Sequence, residues 1–147
     1  MYRLRFNQYI GEGDFATIYR VSNRRILKVF DRTNNFNNEE IDLLINDEIR
    51  GGTLNYGLPV IKEMVVLCPI CCDECSDYKE VRALLKRFIP FTVTEEECCE
   101  IINRSDFPIE LKWDSNNPRQ MRKDEKGRIY VVDTQTEKIM HLVRRKY

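Results

Sequence analysis

Gly11-Glu12-Gly13-Asp14-Phe15 leads into the alternating Ile18-Tyr19-Arg20-Val21, and Ile26-Leu27-Lys28-Val29-Phe30 then sets one lysine among apolar neighbours. Glycines lack a Cβ, so Gly11 and Gly13 let backbone N–H groups close over a polyphosphate. A lysine on the next strand reaches the same phosphates as a point charge. Far along the chain, Leu111 to Met121 contains Asp114. Beyond it, Lys126-Gly127-Arg128-Ile129-Tyr130-Val131-Val132-Asp133 reads as a glycine turn and an apolar strand ending in aspartate. A small hairpin of this kind brings Asp114 and Asp133 together at its mouth. Two carboxylates facing a phosphate-cradling lysine suit magnesium-dependent phosphoryl transfer. One acid orients the attacking hydroxyl, and the other holds the metal that neutralises charge on the phosphates.

The cysteines offer a second chemistry. Cys68-Pro69-Ile70-Cys71-Cys72-Asp73-Glu74-Cys75 contains two overlapping CxxC units, a pattern whose thiolates can hold zinc. Zinc sites usually draw their ligand pairs from two separated turns, and Cys98-Cys99 would supply the second. Ordinary buried or surface thiols and redox chemistry are the other readings.

The elements that must position these groups follow from periodicity. Tyr2, Leu4 and Phe6 alternate with Arg3, Arg5 and Asn7, so Arg3 to Ile10 is expected as a strand, with two more strands up to residue 30. Asp31 to Asn38 is a polar loop. Asn38 is expected to cap a helix from Glu39 to about Arg50 that buries Ile41, Leu44, Ile45 and Ile49 and ends at Gly51-Gly52. Val60 to Leu67 reads as a strand and Asp77 to Phe88 as a helix ended by Pro90. Thr94 with Glu97 forms a capping box for another helix through Cys98, Ile101 and Ile102. Thr134 with Glu137 caps a last helix bearing the lone His141, a surface or interface residue. Trp113 reads as a core plug and Arg144-Arg145-Lys146 as a helix C-terminus facing its dipole.

Composition narrows the class. The 147 residues suffice for one domain or two small lobes, and 42% hydrophobic with 33% charged residues describes a globular chain. Basic and acidic residues balance at 24 each, so the overall charge predicts no nucleic-acid partner and no anionic membrane surface. No membrane span or secretory signal is legible, so a cytoplasmic protein with reduced thiols is expected, in the producing cell or in a host.

In order and in placement, the glycine pair, Lys28 and the two aspartates resemble the protein kinase signature. The likeness is to the small kinase-like proteins of bacteriophages and bacterial effectors. It implies an α+β minimal kinase-like fold with an antiparallel N-lobe sheet and one helix over 1–67. The hinge, at Cys68 to Cys75, and a reduced, truncated helical C-lobe would fill 68–147. It also implies ATP and magnesium as cofactors and a protein hydroxyl as substrate. Gly11 and Gly13 would cover the phosphates, Lys28 would contact them, and Glu48 of the first helix would hold Lys28 in place. Asp114 would be the catalytic-loop acid and Asp133 the metal-binding aspartate of the Asp-Phe-Gly triplet.

The departures from that signature are specific. Ala16 stands for the third glycine, Lys112-Trp113 for the His-Arg before the catalytic aspartate, and Thr134-Gln135 for Phe-Gly. Arg119 falls where the family has a metal-binding asparagine, and Asn116, Asn117 or Gln120 would have to substitute. Little chain follows Asp133, too little for an activation segment or a peptide-substrate platform. Three readings fit these residues: an active minimal Ser/Thr kinase, a pseudokinase that binds and inhibits a partner protein such as another kinase, and a zinc-stapled interaction module.

Overall fold

The computed structural model describes residues 1–12, 16–30, 36–69, 77–112 and 118–135. They form an α+β protein with a five-stranded antiparallel sheet, a small second sheet and, among the described residues, two helices. Packing divides the chain into two units, Met1–Ile41 with Val60–Phe88, and Asp42–Pro59 with Ile89–Tyr147. No helix of the described residues is long and apolar enough to cross a membrane.

The first unit holds β1 (Tyr9–Glu12), β2 (Thr17–Arg20), β3 (Arg25–Phe30), β4 (Val60–Pro69) and β5 (Tyr78–Arg87), in the spatial order β1-β2-β3-β5-β4. Strand period 2 gives the sheet two different faces. One face packs Tyr19, Leu27, Val29, Val66, Val81 and Ala83 into a core capped by Leu4, which is fully buried. β2 and β3 are joined through Ser22-Asn23-Arg24, where Ser22 Oγ accepts from Arg24 N at 3.2 Å. The expected strand over Arg3 to Ile10 is shorter than its alternation suggested. A 3-10 turn occupies Phe6–Gln8, and β1 starts only at Tyr9. Gln8 breaks the extension by turning back: its Oε1 accepts from Arg5 N at 2.8 Å and its Nε2 donates to the Tyr2 hydroxyl at 2.7 Å.

The expected helix over Asp77 to Phe88 is a strand. Its Lys, Glu, Ala, Leu and Arg residues favour helix locally, and this preference is a weak one that tertiary pairing overrides. β5 sits between β3 and β4 and forms ladders with both, Arg25↔Arg87 to Phe30↔Arg82 and Val60↔Lys86 to Pro69↔Tyr78. The chain therefore returns to the same sheet after Pro69 and leaves it only after Arg87. The first unit accordingly continues to Phe88, and a division after Leu67 would fall inside β4.

The helix α1 (Asn38–Gly51) begins one residue ahead of expectation, because Asn37, and not Asn38, is its cap. Asn37 Oδ1 accepts from Glu40 N at 2.9 Å, and Asn37 N donates to Glu40 Oε1 at 3.2 Å, a reciprocal capping box. Its inward positions are Ile41, Leu44, Ile45 and Glu48, spaced i, i+3, i+4, i+7; Ile49, expected among them, is exposed.

The second unit is built on β6 (Phe91–Thr92), α2 (Glu95–Ile102), β7 (Met121–Lys123) and β8 (Ile129–Val131), with the sheet ordered β6-β7-β8. Val93, Cys98, Ile101, Phe107, Leu111, Met121 and Val131 form its core. The Thr94–Glu97 capping box forms as expected, Glu97 N donating to Thr94 Oγ1 at 3.1 Å and Thr94 N to Glu97 Oε1 at 3.2 Å. The glycine turn between β7 and β8 also forms, with Gly127 at φ 81°, where only glycine is unstrained. Asp124, which sequence reading passed over, organises it: its Oδ1 accepts from Lys126 N at 3.0 Å and Arg128 N at 2.8 Å. Removing a buried acceptor leaves such donors unsatisfied, so Asp124→Ala is expected to cost about 1–3 kcal/mol in denaturant unfolding.

Glu97 also ties α2 to β7 through Lys123, Nζ to Oε2 at 2.8 Å. That ammonium, and then the Thr94 N–H, hold the Glu97 carboxyl below its ordinary 4.5. A carboxyl depressed by folding stabilises the fold above its unfolded pKa and loses that contribution as pH falls through the folded one. Glu97→Gln should therefore melt below the unsubstituted protein at neutral pH. The gap between the two should close on acidification past the ordinary carboxylate range, which melting curves across that range would check.

Candidate functional site

The residues singled out for phosphate chemistry fall in both units. In the first, Gly11 pairs with Ile18, Ile18 with Lys28, and Lys28 with Leu84. Gly11 and Lys28 thus stand in one cross-strand row, two strand spacings or about 10 Å apart. Lys28 is buried, on the sheet face opposite the apolar core, and its Nζ lies 5.9 Å from the centroid of the Phe30 ring on the same face. An added Cβ at Gly11 would meet nothing within 4 Å, so this glycine fills no packing need. Gly13 lies outside the described residues.

The same face carries a residue that sequence reading missed. Lys86 of β5 is fully buried and is the diagonal cross-strand neighbour of Lys28, because Lys28 pairs with Leu84 and Ile26 with Lys86. Reading 77–88 as a helix hid it. A strand reading would have placed Leu84 and Lys86 on one face and Val81, Ala83 and Leu85 on the other.

In the second unit the residues after β8 come back against α1. Thr134 Oγ1 donates to the Glu48 carbonyl oxygen at 2.8 Å, and both Thr134 and Gln135 are fully buried. Glu48 itself is fully buried. Val131 N donates to Tyr56 O at 2.7 Å and Leu58 N to Val131 O at 2.9 Å, which sets the register of this return. The approach is tight enough that glycine is required at the helix end: an added Cβ at Gly51 would overlap the Thr134 carbonyl oxygen. Asp133, half-buried, is thereby held one residue from the group that touches Glu48. The 3-10 turn Pro118–Gln120 just ahead of β7 also holds this segment, with Val132 N donating to Gln120 O at 2.8 Å. Asp114 and Trp113 lie outside the described residues, as do His141 and the basic tail.

No protein-family model matches this chain, and no curated protein matches it.

For a metal, the described residues contain no group of three or more His, Cys, Asp or Glu side chains suited to hold an ion. Asp133 is the described carboxylate that the kinase resemblance assigns to magnesium. Of the cysteines weighed for zinc, Cys71, Cys72 and Cys75 lie outside the described residues. Cys68 is buried with its Sγ 3.6 Å from the Tyr19 hydroxyl oxygen, and Cys98 is buried in the second core. Burial, and then the neighbouring Cys99, push the Cys98 thiol up, which disfavours the thiolate that a metal or an electrophile would need.

Proposed function

We propose that this chain is a minimal protein kinase-like protein that binds ATP with magnesium and transfers the γ-phosphate to a serine or threonine hydroxyl of a protein. The observation that carries this reading is Lys28, buried on β3 in one cross-strand row with Gly11. A buried lysine on the strand after a glycine turn is the cation such a site needs, because low-dielectric surroundings strengthen its hold on phosphate. Two further features support it. The helix following β3 turns one carboxylate, Glu48, inward with its apolar residues, and the segment after β8 brings Asp133 next to that helix. In this reading Gly11 and Gly13 cover the phosphates, Lys28 contacts them and Glu48 orients the site. Asp133 holds magnesium, Asp114 orients the attacking hydroxyl, and ATP as donor places the activity in a cytoplasm.

A second reading, a partner-binding pseudokinase, is favoured by the residues after Asp133. The Phe-Gly of the family is replaced by Thr134-Gln135, both locked in the core, and the Thr134 hydroxyl is committed to the Glu48 carbonyl. Arg119, five residues after Asp114, further favours anion binding over a second magnesium.

Incubation with γ-labelled ATP, magnesium and a mixed protein substrate separates the two. Label transfer that Asp133→Asn reduces by about a hundredfold or more is expected of the kinase. Binding of ATP without transfer would favour the pseudokinase, and no interaction with ATP at all would overturn the nucleotide site.

A further inference from the structure

A cleft of about 520 Å³ opens within the second unit, lined by the turn after α1, by Ile101, Arg104 and Asp106 at the end of α2, and by the β7–β8 hairpin. Its size suits a small molecule. One wall is Tyr56, which holds a φ of 65°, a conformation that a bulky residue keeps only where its surroundings impose it. Those surroundings are explicit. Its ring stacks on Phe107 with centroids 5.6 Å apart. Its hydroxyl donates to the Asp106 carboxylate at 2.9 Å and accepts from Arg104 at 3.5 Å. The wall is therefore rigid before any ligand arrives, which lowers the entropic cost of binding.

The charges in the cleft are unequally committed. Asp106 takes the Tyr56 hydroxyl, and Arg104 takes Glu100 at 3.0 Å. Arg128 is exposed, and its side chain makes no hydrogen bond or ion pair among the described residues. Its backbone is nevertheless fixed, through the bond from Arg128 N to Asp124 Oδ1 beside the Gly127 turn. An uncommitted guanidinium thus stands on a rigid hairpin at the rim of a cleft walled by Tyr56, Tyr130, Ile101 and Ile129.

We propose that this cleft binds a small organic anion, a phosphate or carboxylate carried on a flat apolar body. The anion is held by the Arg128 guanidinium, whose planar fork matches either group with two parallel hydrogen bonds. The body lies against Tyr56 and Ile129. The site uses none of the residues assigned to nucleotide, so it stands or falls separately from that reading.

The test is an amide NMR titration of the full chain with phenyl phosphate, phenylacetate and inorganic phosphate. One of the two aromatic anions should saturate at millimolar concentration and move the amides of Tyr56, Gly57, Arg104 and Gly127 to Tyr130. Preference for phenyl phosphate identifies a phosphate ester, and preference for phenylacetate a carboxylate. Arg128→Gln, at an exposed position, should weaken binding about tenfold or more, and Arg128→Lys by less, since it keeps the charge and loses the fork. Arg24→Gln, in the β2–β3 turn, should leave binding unchanged. Three results would overturn the proposal: saturation by neither aromatic anion, affinity indifferent to Arg128→Gln, or shifts confined to Gly11 and Lys28.

Discussion

If the proposed kinase reading holds, ATP with magnesium raises the melting temperature, and Lys28→Met is expected to abolish that rise and to lower phosphoryl transfer by about a hundredfold or more. Methionine matches the length and apolar stem of lysine, so a variant at this buried position keeps its packing and loses the ammonium. Ligand that binds only the folded chain stabilises it by mass action, about 2.7 kcal/mol at a hundred times its Kd. Melting curves of both proteins with and without nucleotide therefore read the site directly, and the variant melted alone separates lost binding from lost folding. An undiminished ATP-dependent shift in Lys28→Met would remove this lysine from the site. Gly11→Ala provides a graded companion. Nothing lies within 4 Å of the added methyl, so its melt without nucleotide should stay within about 0.5 kcal/mol, and any loss of the ATP-dependent shift would report on phosphate contact alone.

Gly51→Ala is expected to destabilise the protein by about 3 kcal/mol or more, lowering the melting temperature on the order of 10 °C. The added methyl would overlap the Thr134 carbonyl oxygen, a backbone atom that no rotamer change can move aside. Relief requires the 132–135 segment to withdraw from α1, which breaks the Thr134–Glu48 bond and exposes Thr134 and Gln135. The same displacement would carry Asp133 with it. On the kinase reading, activity should therefore fall more steeply than stability when both are measured below the melting transition. A melt within about 1 kcal/mol of the unsubstituted protein would show that the return of this segment to α1 is not tightly packed.

Signals that act within a few residues are legible in the sequence alone. Thr94 and Glu97 satisfy each other's backbone donors three residues apart, so the start of α2 is a local property. Gly127 permits a φ that its neighbours resist, so the β7–β8 turn is local too. Lys28 between apolar neighbours announced a short strand in the same way, and Gly51 announced the end of α1.

What only tertiary structure decided is what depends on partners distant in sequence. β5 has helix-favouring composition, and it became a strand because β3 and β4 offer hydrogen-bonded ladders on both of its edges. With that pairing Lys86 became a buried neighbour of Lys28, a placement that no helical reading contains. Glu48 lies on the inward stripe of α1 by spacing alone. Its junction with the residues beside Asp133, however, rests on hydrogen bonds spanning more than seventy residues, from Tyr56 and Leu58 to Val131 and from Thr134 to Glu48. Local chemistry in the sequence determined the β7–β8 turn, the cap of α2 and the strand that carries Lys28. The sheet order, the burial of the second lysine and the return of Thr134 to α1 were decided by long-range pairing, whose energy belongs to the assembled fold and to no single segment.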